Sequence, residues 1–385
     1  MTPQAALEVQ ARAGAAAFQA GQFAEARRLL TPVLARAPRH VQIALILAHS
    51  CRALADRAGE EQAVDAALAA DPGNIRALIL KADCRDAAGE VRAASSFYER
   101  ALKLAEGKQL PADLQHEVAR ARAERDRLAR GYRAHLETWL ADRAAARTPR
   151  FAQALDIMFG ERQVYYQQPH MFYFPELAQR QYFEREEFGW VADLEARTPA
   201  ILNELNGLLA TREGFRPYLV SDPARPRVEF HGLNDNPDWS SLYLFENGAP
   251  VTNHVARAPQ TYAALQSLPL CRIGTRAPTI MFSLLRPGAR IAPHTGMLNT
   301  RLICHLPLIV PPNCGFRVGN EVRAWEVGKL LIFDDTIEHE AWNDSDQDRV
   351  VLIFDVWRPE LSDHEREAIV QMFAAVDAYG APGAQ

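Results

Sequence analysis

Residues 279–310 read TIMFSLLRPGARIAPHTGMLNTRLICHLPLIV. Two apolar runs, Thr279–Leu285 and Arg301–Val310, are of strand length, well short of a membrane span. Between them Pro287-Gly288 marks a turn, because proline presets φ and glycine supplies a conformation other residues resist. In the second run residues 301, 303 and 305 share one strand face. Arg301 and His305 therefore project to the same side of an otherwise apolar segment. The stretch specifies β-structure that carries polar groups on one face.

The pattern continues downstream. Gly315–Val318, Lys329–Phe333 and Arg349–Trp357 read as further strands, separated by Pro311-Pro312-Asn313 and Asn343-Asp344-Ser345-Asp346. Many short strands at this spacing predict a sandwich or barrel. Ser362 with Glu365 three residues on is a capping box that opens a final helix. Upstream, residues 198–211 read as a short helix and Phe172–Leu177 as a loop with aromatic anchors.

Residues 1 to about 145 have a different composition, rich in Ala, Leu, Arg and Glu. Pro38 and Pro72 lie one 34-residue period apart, Gly21 and Gly89 two periods apart, and Ala26 and Ala94 keep the same phase. A fixed period marks stacked units, and this one resembles the tetratricopeptide repeat, a helix–turn–helix. Three units fit: 7–40, 41–74 and 75–106. The middle one carries Glu60 where a small residue is expected. An Ala-rich bundle with accidental spacing is the alternative. Residues 112–145 predict a connecting helix, with Leu114, Val118, Ala121, Leu128 and Tyr132 as an incomplete apolar stripe against the repeats. The expected domains are helical repeats at 1–106, connecting helices at 107–159, and a strand-rich domain at 160–385.

A chain of 385 residues suits two domains, and its net charge of −5 argues against a nucleic-acid surface. Five cysteines without a CxxC pair suit a reduced, intracellular protein. Glu8 precedes any long apolar run, so no signal peptide is expected, and no membrane span is expected either. The expectation is a soluble, cytoplasmic protein.

The candidate chemistry lies in the strands. Pro293-His294-Thr295-Gly296 follows the first turn, and Phe333-Asp334-Asp335-Thr336-Ile337-Glu338-His339-Glu340 closes an apolar strand. Arg349 stands ten residues after His339. Two imidazoles on separate strand ends can hold Fe(II) while leaving sites open for O₂ and a chelating co-substrate. An arginine nearby can fork onto a carboxylate. The common iron triad places its carboxylate two residues after the first histidine, which here is Gly296. Either Asp335 supplies it, or two histidines act alone with Asp335 accepting from a histidine N–H; the second is expected. Arg349 could instead pair with Asp346 or Asp348, and His305 could be a satisfied core residue. Asp334 reads as structural, while His170, His231 and His254 carry no assignment.

The strings FSLLRPG (282–288), PHTG (293–296), NTRL (299–302), LIFDD (331–335), EHEAWND (338–344) and DVWRPEL (355–361), with Arg349 and Trp239, resemble the aspartyl/asparaginyl β-hydroxylases over residues 160–362. The resemblance implies a double-stranded β-helix of jelly-roll or cupin-like type. It also implies an Fe(II)- and 2-oxoglutarate-dependent dioxygenase using O₂. His294 and His339 would bind iron. Arg349 and Ser283 would hold the distal carboxylate of 2-oxoglutarate, with Trp239 nearby and His305 at the carboxylate beside the oxo group. The family often has a second arginine where this chain has Ile303; Arg301 is the expected substitute. Cys271 has Tyr262 at its partner position, so no disulfide is expected. The implied substrate is an Asp or Asn β-carbon in a peptide or protein, recruited by the repeats. A small molecule or lipid acyl chain is the alternative target, and a repeat scaffold with an inactive oxygenase domain is the alternative class.

Overall fold

A computed structural model describes residues 3–143, 148–221, 226 and 229–379. The chain divides into two units, Met1–Glu161 and Arg162–Gln385. The expected connecting segment therefore belongs with the repeats.

The first unit is helical: α1 (Pro3–Gln19), α2 (Phe23–Arg36), α3 (Val41–Ala53), α4 (Arg57–Ala70), α5 (Ile75–Ala87), α6 (Val91–Ala105), α7 (Ala112–Leu140) and α8 (Pro149–Met158). The first six form three helix pairs that match the expected tetratricopeptide-like units. Asp56 and Asn74 cap α4 and α5 by accepting backbone N–H groups from Gly59 and Ala77, satisfying donors a helix start leaves open. The turn inside each pair needs one residue in the left-handed region. Gly21, Ala55 and Gly89 fill it at φ 73°, 58° and 78°, each 34 residues apart. The middle repeat thus uses alanine where its neighbours use glycine. Its other irregularity is also resolved. Ala26 and Ala94 are fully buried; Glu60 in the same slot is 7% exposed and accepts from Arg52 at 2.6 Å. Pairing makes the buried charge tolerable. Helix α7 lies on α5 and α6, burying Ala121 and Leu128, while Arg120 grips Asp83 through two hydrogen bonds of 3.0 and 2.9 Å.

The described residues of the second unit form twelve strands: β1 (Tyr182–Phe183), β2 (Arg216–Pro217), β3 (Trp239–Glu246), β4 (Ala249–Pro250), β5 (Ile280–Leu285), β6 (Arg290–His294), β7 (Arg301–Ile309), β8 (Cys314–Val318), β9 (Glu321–Arg323), β10 (Leu331–Phe333), β11 (His339–Asn343) and β12 (Arg349–Trp357). All the strand pairings are antiparallel. The large sheet runs β1-β10-β7-β12-β5-β3-β2 with β4 on β3; the small sheet runs β6-β11-β8-β9. Helices α9 (Val191–Glu195), α10 (Thr198–Thr211), α11 (Thr252–Arg257), α12 (Pro259–Gln266) and α13 (Asp363–Ala378) complete the unit.

Alternation along β12 sorts the layers. Val350, Leu352, Phe354 and Val356 pack with Leu194, Ile201, Leu205 and Leu208 of the helices. Val351 and Ile353 face the other way and join Phe316, Val318, Ala341 and Ile291 of the small sheet. Arg349 and Asp355 have the parity of Val351, so they point between the sheets. The result is a jelly-roll-type sandwich with helices outside its large sheet. Truncating Phe354 to alanine would cost about 3–5 kcal/mol.

The five expected strands form within one or two residues of their expected bounds, and 198–211 is helical. Seven strands escaped the reading: β1, β2, β3, β4, β6, β9 and β11. β3 is buried at seven of its eight positions, so it shows no alternation. β6 contains Pro293, tolerated because β6 is an edge strand. His339 does not close the preceding strand but opens β11.

Candidate active site

The two histidines meet through strand pairing. β6 and β11 are antiparallel with His294 directly opposite His339. Their ring centroids lie 4.1 Å apart. His294 Nδ1 is 2.8 Å from the Ala292 carbonyl and His339 Nδ1 is 3.1 Å from the Ile337 carbonyl. A carbonyl only accepts, so each Nδ1 carries the proton and each Nε2 keeps its lone pair. Burial pushes the pKa of both rings down, and His294 pushes His339 further. Neutral imidazoles with oriented free Nε2 atoms are what a metal ion requires.

Both rings open on a cavity of about 330 Å³ that is also lined by Trp239, Ser283, Arg301, His305 and Arg349. Every residue singled out from the sequence for metal or co-substrate thus lines one space. The registers explain the convergence: Ser283 lies opposite Val351 on one side of β12 and His305 opposite Ile353 on the other. All share the inter-sheet face with Arg349.

Arg349 is 1% exposed, and its Nε and Nη2 find no hydrogen-bond partner. Asp348 pairs with Arg212 instead. Burial brings the Arg349 pKa down to about 9. A buried, uncompensated guanidinium is costly, and its expected complement is an anion. Trp239 Nε1 donates to Ser283 Oγ at 3.2 Å, which leaves the serine hydroxyl proton free to be donated. Trp239 itself stacks on Tyr218 at 4.1 Å. His305 is buried with Nδ1 unpartnered, and burial, then Arg349, drops its pKa to about 3.

Arg301 is differently employed. Nη1 binds Asp355, and Nη2 lies 3.3 Å from Asp335 Oδ2, leaving Nε without a partner. Asp355 and Tyr218, both lining the cavity, were not singled out from the sequence. The parity of Asp355 with Arg349 on β12 was the available signal for the first; nothing marked the second. Asp334 is structural as expected, bound to the buried Arg358.

Asp335 bears on the missing triad carboxylate, but its side chain contacts Arg301 rather than the histidine N–H expected of it, because the Nδ1 protons of His294 and His339 go to backbone carbonyls. A Cβ on Gly296 would lie 2.0 Å from Asp335 Oδ2. The carboxylate therefore occupies the space a side chain at 296 would take. Burial raises its pKa to about 7 against the pull of Arg301, and Oδ1 has no partner. No group of three or more His, Cys, Asp or Glu residues is arranged to hold a metal among the described residues. His170, whose Nε2 is 3.1 Å from Thr295 Oγ1, also lines the cavity.

Residues 195–359 match the family profile described as aspartyl/asparaginyl β-hydroxylase. The mouse aspartyl/asparaginyl β-hydroxylase is 41% identical over 169 residues, covering 43% of this chain and 22% of that protein. The ornithine lipid ester-linked acyl 2-hydroxylase of Rhizobium tropici is 34% identical over 180 residues, 46% of this chain and 60% of that protein. Human aspartate β-hydroxylase domain-containing protein 2 is 32% identical over 212 residues, 54% of this chain and 55% of that protein. The chain thus spans about a fifth to three fifths of the length of these relatives. A solved structure, the first TPR of Spaghetti (RPAP3) bound to an HSP90 peptide, overlays on 33% of this chain and 92% of its own at 21% identity and a TM-score of 0.28. The resemblance drawn from the motifs is borne out by the profile and these relatives.

Proposed function

With residues 195–359 matching the aspartyl/asparaginyl β-hydroxylases, we propose that this chain is an Fe(II)- and 2-oxoglutarate-dependent dioxygenase that hydroxylates the β-carbon of Asp or Asn in a peptide or protein. One observation carries the reading: two oriented Nε2 lone pairs and one uncompensated guanidinium share a single cavity.

The chain's own groups divide the work. His294 and His339 offer neutral nitrogens to the iron, their rings fixed by the Ala292 and Ile337 carbonyls. Arg349 forks onto the distal carboxylate of 2-oxoglutarate, and Ser283, its acceptor side occupied by Trp239, donates its proton to the same group. His305 faces the other carboxylate. Arg301 keeps only Nε for that end and otherwise holds Asp335 and Asp355. Fe(II), 2-oxoglutarate and O₂ together supply the oxidant for C–H hydroxylation, with succinate and CO₂ as co-products. The apolar wall of Met281, Ile303 and Ile353 limits water around the reacting carbon. The helical repeats recruit the substrate, as stacked helical units commonly do for extended chains. A reduced, cytoplasmic setting belongs to the proposal, since all five cysteines are unpaired. No described helix is long and apolar enough to cross a membrane.

A second reading, hydroxylation of an acyl chain, is favoured by the same apolar wall and by the lipid acyl hydroxylase among the relatives. Incubation with Asp- and Asn-containing peptides and with acylated lipids, read by mass spectrometry, separates the two. Gain of one oxygen atom on a peptide supports the first reading. Gain only on an acyl chain overturns it in favour of the second. Succinate-free incubations on every substrate would return the chain to a scaffold role.

A further inference from the structure

Around Arg349 the structure holds more donors than acceptors. Trp325, in the loop between β9 and β10, is 7% exposed, and its Nε1 has no partner. Buried indole N–H groups ordinarily find an acceptor. The same ring lies 4.5 Å from the Arg349 guanidinium carbon, a cation–π contact. Trp325 is itself held flat on Phe316, at 5.6 Å and 19°. Phe316 is packed edge-on against Phe333 at 4.7 Å and sits 5.0 Å from His305. The stack is therefore fixed from behind and cannot easily turn away from Arg349. In the cavity, Arg349 Nε and Nη2 are donors without acceptors, and Ser283 Oγ accepts from Trp239, which leaves its hydroxyl proton to donate. A carboxylate, with two oxygens and about four lone-pair sites, matches such a set.

We infer that Trp325 is a positioning residue for the co-substrate. Its ring holds the Arg349 guanidinium in register to meet the carboxylate. The inference rests on Arg349 being the 2-oxoglutarate clamp. It concerns only the distal carboxylate, which gives it a signature that general damage lacks.

The experiment measures calorimetric binding to the full chain loaded with Mn(II) in place of iron. The ligands are 2-oxoglutarate and 2-oxopentanoate, which has the same chelating end but no distal carboxylate. Trp325→Leu removes ring and N–H, and Trp325→Phe keeps a ring without the N–H. A desolvated cation–π contact is worth about 2 kcal/mol, or roughly 30-fold. Trp325→Leu should weaken 2-oxoglutarate by about 30-fold or more, and Trp325→Phe by a smaller factor. Affinity for 2-oxopentanoate and for Mn(II) should be unchanged in both. Equal weakening of both oxo acids in Trp325→Phe would make Trp325 merely structural and overturn the inference. Unchanged 2-oxoglutarate affinity in Trp325→Leu, alongside a large loss in Arg349→Ala, would overturn it while leaving the clamp intact. Unchanged affinity in Arg349→Ala would overturn the clamp itself, and the inference with it.

Discussion

Arg349→Met should make the ligand-free protein more stable and abolish its stabilisation by 2-oxoglutarate. The guanidinium is buried without a carboxylate, and burial lowers its pKa from the usual arginine value to about 9. At about 1.4 kcal/mol per pKa unit, keeping it charged at neutral pH costs at most about 4–5 kcal/mol. The Trp325 ring returns up to about 2 kcal/mol of that. Methionine, similar in length and uncharged, should therefore gain about 1–3 kcal/mol. The sign follows from linkage. The folded chain loses this proton before the unfolded chain does, so the cost is full below about pH 9 and fades as pH rises through that value. The advantage of the variant should accordingly be widest near neutrality. With Mn(II) and 2-oxoglutarate at 100 times its dissociation constant, the wild type should gain about 2.7 kcal/mol and the variant nothing from the co-substrate. Urea unfolding followed by intrinsic fluorescence, with and without 2-oxoglutarate, measures both quantities. A variant less stable than wild type that still gains stability from 2-oxoglutarate would refute the reasoning.

Other consequences are direct. Ala55→Gly should stabilise the helical unit by about 0.5–1 kcal/mol, because alanine at φ 58° costs roughly 1–2 kcal/mol, partly offset by glycine's greater unfolded-state freedom; the helical melting transition at 222 nm reports it, and an unchanged or lower midpoint contradicts it. Burial lowers the His305 pKa to about 3, so the unfolded chain takes up this proton first and stability falls between about pH 6.5 and 3, by up to about 1.4 kcal/mol per pH unit. His305→Leu should flatten that part of the acid-unfolding profile. Asp335→Ala should weaken metal binding by about 10–100-fold, whereas His294→Ala should remove it; equal loss in a Mn(II) titration would make Asp335 a direct ligand. A fragment beginning at Arg162, once shown to fold, should lose efficiency on a full-length protein target more than on a short peptide, since docking raises local concentration. Equal losses would place the repeats in the active site's own shaping.

Much of this was legible from residue spacing. The 34-residue period gave the three helix pairs because each turn recurs as a chemical requirement, and the middle unit departs from it at Ala55, where alanine accepts a strained φ, and at Glu60, whose buried carboxylate is paired with Arg52. The strands with alternating or continuous apolar runs were readable, and the parity of residues 301, 303 and 305 correctly placed Arg301 and His305 on one face. β3 escaped because it is buried on both faces, and β6 because an edge strand can carry a proline. The ligating pair could be named but not positioned: its contact depends on a register between β6 and β11, two strands that local pattern did not reveal. The employment of Arg301 was hidden for a related reason. Asp355 lies 54 residues away, and only the pairing of β7 with β12 brings it across. The space at Gly296 filled by Asp335 is likewise a tertiary fact, visible once a Cβ is placed on the glycine.

The central claim is that His294 and His339 hold an iron that oxidises 2-oxoglutarate. Its most direct test is succinate release when O₂ is admitted to the anaerobic chain loaded with Fe(II) and 2-oxoglutarate, with His339→Ala run beside it. The account predicts oxygen-dependent succinate from the wild type, slow without substrate and faster with it, and none above background from the variant. No succinate from a folded, iron-loaded wild type, or equal amounts from both proteins, would contradict it.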